Sequence, residues 1–294
     1  MKDQICDAAP AALVQAIAGA KAWVLDVDGC LVRTQSPGGE GGTPFPGAQE
    51  LLRWLREQNR AFVICSNASK RSPRQYASHL RSIGLDIGDH EIITAATAAA
   101  AHIATQHPGV RTLAVGDEGL EEALREQQIE LARPGGPPAG VVIVGAADAY
   151  TTEILNAACL AIADHNAVLY VTVDAPWFFG GMGRSVCAST AIASAISAIT
   201  GRRPEVCGKP SPALAQVLLD RLGVDPGEIV VVGDIASIEI QLAHTMGALG
   251  VLVLSGGTTR SEVDRLPPQH RPHLQVNDVG VLLRMMLSTT PERR

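Results

Sequence analysis

Acidic residues lie at the ends of two apolar runs in the 294-residue chain. Asp26 and Asp28 come at the end of the run 22–27, in the sequence DVDG, and Asp234 follows the run 228–233 directly. Carboxylates that lie close together repel one another unless a cation binds between them, and oxygen ligands suit Mg²⁺. A carboxylate can also attack phosphorus, and a second carboxylate nearby can transfer protons. The pattern therefore predicts phosphoryl chemistry, with Asp26 as nucleophile and Asp28 as general acid and base.

Side chains that could bind a phosphoryl group follow other runs. Ser66 and Asn67 lie at the end of the run 61–66, and Lys209 lies in CGKPSP, before the helical pattern that leads to Asp234. Hydroxyl, amide and ammonium groups can donate to phosphoryl oxygens and offset the charge that develops there. Each motif alone is also compatible with a turn residue or a helix cap. Together, and in this order, they favour one catalytic site.

The elements between these residues must bring them together. Apolar runs alternate with segments in which apolar residues recur every three or four positions, which is typical of helices. Continuous apolar strands separated by helices indicate parallel sheets covered on both faces, so the predicted fold class is α/β. Ligands of such sheets bind beyond the carboxyl ends of the strands, where the polar residues are expected to meet. The predicted strands are 22–27, 61–66, 111–115, 140–145, 167–173, 228–233 and 248–255.

Composition and charge limit the partners. The net charge of -6 argues against nucleic acid and against an anionic membrane, because both favour a basic surface. The six cysteines are scattered and indicate reduced thiols in a cytoplasmic protein. The first 23 residues contain an apolar stretch that could pass for a signal peptide, but Asp3 and Asp7 lie where a basic segment is expected. We therefore expect a first helix and a cytoplasmic location.

The order of the motifs DVDGCL, CSNASK, GKPSP and VVVGD resembles that of the haloacid dehalogenase (HAD) superfamily of aspartate-nucleophile phosphatases. The finer resemblance is to its class IIA branch, the NagD-like and 4-nitrophenyl phosphatase-like enzymes. It implies a Rossmann-like core formed by 1–90 and 205–294, with an α/β cap of the C2 type inserted at 91–204. It also implies a Mg²⁺ site formed by Asp26, the backbone carbonyl of Asp28, and Asp234.

The chain departs from the branch in the metal motif and in the cap. Glu239 stands where the branch has an aspartate, and it is interpreted either as an outer-shell metal contact or as a first-turn helix acid favoured by the dipole. In the cap, the segment VTVDAP retains only the acid of the branch's usual cap signature, as Asp174. The neighbouring Trp177 or Phe178 is predicted to contact the leaving group, with Arg184 available to a second anionic group; packing is the competing interpretation.

These features together predict Mg²⁺-dependent hydrolysis of a small phosphate monoester through an aspartyl-phosphate. Asp28 argues against the dehalogenase branch, which does not require that residue. The leaving group stays open among sugar phosphate, glycerol phosphate, phosphoglycolate, pyridoxal phosphate and nucleotide. The alternative function is a catalytically weakened binding or regulatory protein, which the unusual IASIEI segment makes plausible. The alanine-rich helices of the cap suggest, by family analogy, a homodimer contact.

Overall fold

The computed structural model describes residues 10–34, 42–180 and 183–289. Positions 36–41 of the predicted loop 36–47 lie outside the described residues, as do the first nine residues. The strands are, in chain order, β1 (Ala22–Leu25), β2 (Val32–Thr34), β3 (Gly42–Pro44), β4 (Ala61–Ser66), β5 (Ile92–Thr94), β6 (Thr112–Val115), β7 (Val141–Val144), β8 (Val168–Val171), β9 (Trp177–Gly180), β10 (Gly183–Val186), β11 (Glu205–Val206), β12 (Ile229–Gly233), β13 (Leu249–Val253) and β14 (Leu274–Val276).

Helices occupy most of the segments between the strands. A single π-helical turn, Ala236–Ile240, lies between β12 and the helix that follows it, and short 3₁₀ turns precede β5, β12 and β14. The expected first helix is present. The α-helices are α1 (Ala11–Gly19), α2 (Ala48–Glu57), α3 (Pro73–Ser82), α4 (Ala95–Gln106), α5 (Glu118–Glu126), α6 (Thr152–His165), α7 (Ala188–Thr200), α8 (Pro212–Leu222), α9 (Gln241–Met246), α10 (Arg260–Arg265) and α11 (Val279–Thr289).

A six-stranded parallel sheet forms the larger unit, in the order β14-β13-β12-β1-β4-β5. Its central strand, β1, is buried along its whole length, because both faces of the sheet are covered. Trp23 and Leu25 pack on the face that carries α1, α2 and α11, whereas Val24 packs on the opposite face with α8 and α9. The parallel register brings the carboxyl ends of β1, β4 and β12 side by side.

A second parallel sheet, in the order β11-β8-β7-β6, forms a smaller unit in the middle of the chain. Helices α4 and α5 cover one face and α6 and α7 cover the other. This confirms an α/β fold with a Rossmann-like core and an α/β cap. The division at 90/91 and 204/205 stays a prediction; strand pairing puts Ile92–Thr94 in the larger sheet and Glu205–Val206 in the smaller one.

Two antiparallel hairpins lie outside these sheets. β2 pairs with β3, and β9 pairs with β10, so that Trp177 lies opposite Val186 and Phe178 opposite Ser185. The second pair forms a hairpin because aromatic residues on one side and Val186 on the other flank a glycine-rich connection, which favours paired strands.

The surface of the described residues bears on two expectations about partners. None of the described helices is long and apolar enough to cross a membrane. On the cap, Leu160 of α6 and Ile199 of α7 are 47% and 73% exposed. The homodimer contact through the cap stays a prediction.

Candidate active site

A buried ion pair lies at the carboxyl end of the central strand. Asp26 directly follows β1, and its backbone N–H donates to the carbonyl of Val232 at 2.9 Å, so the sheet fixes its position. Lys209 Nζ lies 2.5 Å from Asp26 Oδ1, 2.8 Å from Glu239 Oε1 and 3.0 Å from the Cys65 carbonyl. These contacts use all three N–H donors of the ammonium group. Lys209 therefore holds Asp26 in place, and one of these bonds must exchange before Lys209 can donate to a ligand.

Burial and charge act in opposite directions on this pair. Burial raises the pKa of Asp26 and so do Glu239 and Asp234, whereas Lys209 opposes the shift. Burial lowers the pKa of Lys209, but Asp26 and Glu239 outweigh it and the pKa rises. Lys209 is therefore charged, and it faces more negative charge than it can neutralise.

Asp28 lies in the tight turn that follows the strand. Gly29 has a φ of 80°, which favours glycine, and its N–H donates to the Val32 carbonyl at 2.8 Å. Asp28 lines the cavity, and its Oδ1 is buried with no hydrogen-bond partner among the described residues. Burial raises the pKa of Asp28 to about 6, partly opposed by Lys209 and Thr34.

Asp234 lies beside this turn, in the position that the sequence predicted. Its Oδ2 accepts from the Gly257 N–H at 2.5 Å, and its carbonyl accepts from Thr258 N at 3.0 Å. A Cβ atom at Gly29 would lie only 2.4 Å from Asp234 Oδ2, so this approach requires glycine. Burial and the nearby Glu239 raise the pKa of Asp234 to about 7.

Glu239 lies in the π-helical turn and is 3% exposed. Its Oε2 accepts from Ile235 N at 3.0 Å, and its Oε1 pairs with Lys209 at 2.8 Å. A Cβ atom at Gly233 would lie 2.0 Å from Glu239 Cγ, so the glycine makes room for the side chain. Glu239 is thus buried against Lys209, a contact that neither sequence interpretation anticipated.

The donor set fits a hard cation. Asp26, Asp28 and Asp234 offer only oxygen atoms, and Lys209 alone does not balance their negative charge. One oxygen of the Asp28 carboxylate has no hydrogen-bond partner in the described ranges. Among the described residues, no three acidic, histidine or cysteine side chains form a cluster that could hold an ion by themselves. Backbone and water oxygens would have to complete the coordination, which is typical of Mg²⁺.

Ser66, the last residue of β4, and Asn67, which follows it, are predicted phosphate-binding residues that differ in their contacts. Ser66 Oγ accepts from Ala68 N at 3.2 Å and lies 3.4 Å from the hydroxyl of Tyr76, which is buried in α3. Asn67 contacts the backbone of Lys209: Lys209 N donates to Oδ1 at 2.8 Å, and Nδ2 donates to the Lys209 carbonyl at 3.4 Å. Sequence reasoning missed both Tyr76 and this contact.

The loop that holds Lys209 is also fixed from the helix that follows it. Ser211 caps α8, its hydroxyl accepting from Leu214 N at 3.2 Å, and Pro212 occupies the first turn. Lys209 is thus held on one side by the start of α8 and on the other by Asn67.

A cavity of about 1,460 Å³ opens above these residues, between the core and the cap. Asp26, Asp28, Ser66, Lys209 and Asp234 lie on its core side. The structure thus brings together the residues predicted at the three strand ends.

The cap contributes an aromatic wall to the same cavity. Trp177 and Phe178 line it, whereas Asp174 and Arg184 are not among its lining residues. The guanidinium of Arg184 instead lies over the Trp177 ring, 4.5 Å from its centroid, and Trp177 is 41% exposed. Phe178 also packs against the small apolar cluster of Ala95, Val173 and Cys187, so it has a packing role as well.

One polar segment of the core connects it to the cap. The Ser69 hydroxyl accepts from Ala146 N at 2.9 Å, and the Lys70 carbonyl accepts from Gly119 N at 3.1 Å. Lys70 also pairs with Asp148 through its ammonium group. The polar run SNASKRS after β4 was a sequence signal for this segment. Through it the cap packs directly against the loop that carries Ser66.

Comparison with known proteins supplies independent information on the family. The family described as haloacid dehalogenase-like hydrolase matches residues 23–130, and a HAD-hydrolase-like family matches residues 206–282. An acid sugar phosphatase of Staphylococcus epidermidis is 26% identical over 252 residues, which cover 85% of this chain and 93% of that protein.

Two solved structures extend the likeness to the fold. A p-nitrophenyl phosphatase from Archaeoglobus fulgidus is 30% identical with a TM-score of 0.77, covering 90% of this chain and 99% of that one. A glycerol phosphate phosphatase from Mycobacterium tuberculosis, solved in complex with magnesium, is 26% identical with a TM-score of 0.79, covering 90% of this chain and 77% of that one.

Proposed function

From the membership of this chain in the haloacid dehalogenase-like hydrolase family, in which it is a phosphatase of the class IIA branch, we propose that it hydrolyses small phosphate monoesters through a phosphoaspartate on Asp26, with Mg²⁺ as cofactor. The observation that carries this proposal is the buried Asp26 carboxylate, held by Lys209 at the floor of the cavity. The relatives, which are named for their action on sugar phosphate, nitrophenyl phosphate and glycerol phosphate, support the substrate class.

The reaction would proceed in two steps at the core side of the cavity. Asp26 attacks the phosphorus, the bond to the leaving oxygen breaks, and Asp28 gives that oxygen a proton. Asp28 then takes a proton from the water that attacks the phosphoaspartate, which releases phosphate and restores Asp26. Asp28 lines the cavity, and its Oδ1 makes no hydrogen bond within the described part of the chain, so the carboxyl group is available for both transfers.

The other predicted residues would stabilise charge on the phosphoryl group. Lys209 lies beside Asp26 Oδ1, so its positive charge adjoins the atom that bonds to phosphorus. The hydroxyl of Ser66 lines the same cavity and can donate to a phosphoryl oxygen. Asp26, the Asp28 carbonyl and Asp234 would hold Mg²⁺, which when bound lowers the electrostatic repulsion between the carboxylates and the incoming phosphate.

The cap favours a small substrate. Its contacts with Ser69 and Lys70 place it against the catalytic edge, so a leaving group must fit within the cavity. Trp177 and Phe178 supply an apolar surface for that group.

Release of 4-nitrophenol from 4-nitrophenyl phosphate, with and without Mg²⁺, tests the function. Turnover that requires the metal and disappears in Asp26→Asn is the expected result. A screen of phosphorylated metabolites, compared by kcat/KM, then identifies the leaving group. A folded protein that binds phosphorylated compounds without turnover would overturn the proposal and support a binding or regulatory role.

A further inference from the structure

A second cavity lies at the opposite end of the core sheet from the catalytic site. It measures about 270 Å³ and is lined by the first residues of β4, by the ends of α2 and α8, and by the segment that precedes β5. Because the catalytic residues follow the other end of β4, a strand of six residues separates the two cavities, a distance of about 15–20 Å. We refer to it as the arginine pocket, after Arg56, Arg60 and Arg221, which line it.

The three arginines outnumber the acidic groups around them. Arg56 pairs with Glu91 at 2.8 Å and lies 3.7 Å from Asp86 Oδ2; of these two carboxylates, only Glu91 is among the described residues that line the pocket. Arg221 donates to the His90 carbonyl at 2.6 Å, and Arg60 makes a 3.4 Å contact with the Ala18 carbonyl. Within the described residues, no carboxylate lies within ion-pair distance of Arg60 or Arg221. Three guanidinium groups thus face two carboxylates, so one positive charge is left unbalanced in a chain whose net charge is -6.

One of these arginines has an unused donor. The Nε of Arg60 is buried and has no hydrogen-bond acceptor within the described part of the chain. Leaving a buried donor on a charged group without an acceptor costs about 1–3 kcal/mol. A planar guanidinium presents its donors in a fork that matches the oxygens of phosphate. An anion in the pocket would supply both the missing acceptor and the missing charge.

We propose that the arginine pocket is a second, non-catalytic binding site for a phosphate-sized anion. Arg60 and Arg221 have no carboxylate partner among the described residues, and their guanidinium forks match the oxygens of phosphate. A cavity of this size is below the range of about 300–1,000 Å³ that holds drug-sized ligands. The ligand is either inorganic phosphate, the product of the proposed reaction, or the phosphoryl group of a phosphorylated metabolite.

Equilibrium dialysis with radiolabelled inorganic phosphate in the presence of EDTA tests the site. Without metal, the carboxylates of the catalytic site repel the anion, so binding reports on the arginine pocket. We expect one phosphate per chain, with the affinity reduced about tenfold or more in the double variant Arg60→Gln/Arg221→Gln. The matched control is Arg53→Gln, on the exposed face of α2 outside the pocket, which should bind like the wild type.

Several outcomes separate this proposal from the alternatives. Displacement of phosphate by glycerol phosphate at equal or lower concentration identifies a metabolite as ligand, whereas displacement by sulfate alone identifies free phosphate. No binding in the wild type, or binding unchanged in the double variant, overturns the proposal; the arginines then serve only the carboxyl ends of α2 and α8. Hydrolysis of 4-nitrophenyl phosphate is measured separately, and its retention in the double variant shows that the catalytic site is intact.

Discussion

Removal of the Asn67 side chain is the most informative single change to the site. This amide accepts from the Lys209 N–H at 2.8 Å and donates to the Lys209 carbonyl at 3.4 Å, between residues 142 positions apart. Asn67→Ala leaves the Lys209 N–H without its acceptor, at a cost of about 1–3 kcal/mol. A catalytic group displaced by about 1 Å can lose about 10²-fold in rate. We therefore expect a loss of about 10²-fold in kcat, together with a lower Tm.

A double-mutant cycle with Lys209 shows whether this loss acts through the lysine. Lys209→Met alone should reduce kcat by about 10²–10³-fold, the range for loss of one charge-stabilising donor. If Asn67 positions Lys209, adding Asn67→Ala to Lys209→Met should reduce kcat little further, because the two residues act as one unit. Asn67→Asp retains an acceptor for the Lys209 N–H and should lower the Tm less than Asn67→Ala does.

The opposite pattern would refute the reasoning. Additive losses in the cycle, with an increased KM and weaker inhibition by inorganic phosphate, would show that Asn67 contacts the phosphoryl group directly, as the sequence predicted. Steady-state kinetics with 4-nitrophenyl phosphate and thermal denaturation of the same preparations supply all of these readouts.

Four further predictions follow from the site. Asp26→Asn should abolish turnover with a native Tm, because an amide cannot form the acyl phosphate; activity within about tenfold of the wild type contradicts the nucleophile assignment. Chelation should remove activity, and added Mg²⁺ should restore it. The Mg²⁺ concentration needed for half-maximal activity should rise steeply in Asp234→Ala and mildly in Glu239→Gln. If metal titrations show the same rise in both variants, Glu239 is a direct ligand. Because burial and Glu239 raise the folded pKa of Asp234 to about 7, well above its usual value, the metal-free folded state retains a proton that the unfolded chain releases near pH 4. The stability contributed by this group is lost as pH rises from about 4 to about 7. Mg²⁺ should therefore increase the Tm more at pH 8 than at pH 5. An equal increase in Tm at both pH values argues against metal binding at Asp234. Trp177→Ala or Phe178→Ala should raise KM for the true substrate with little change in kcat; unchanged KM with a lower Tm, or dissociation of an oligomer, shows that these residues serve packing.

The sequence alone predicted those parts of the fold that depend on local pattern. All seven predicted strands are present, because a strand buried on both faces is a continuous apolar run that can be recognised without knowledge of its neighbours. The positions of Asp26, Ser66 and Asp234 at strand ends followed from the same pattern, since the carboxyl ends of parallel strands share one edge. Short strands such as β5, β11 and β14 were missed, because two or three residues carry too little periodicity to be recognised.

Only the tertiary structure decided which side chains meet. Lys209 reaches Asp26 across 183 positions and Asn67 across 142, and nothing local in GKPSP or SNASK specifies these partners. Glu239 contacts Lys209 because a π-helical turn and the absence of a side chain at Gly233 leave room for it. Each of these contacts joins segments that are remote in the chain. Whether such segments meet depends on how helices and sheets pack. Residue type and spacing determine only which chemical groups each segment brings to the site.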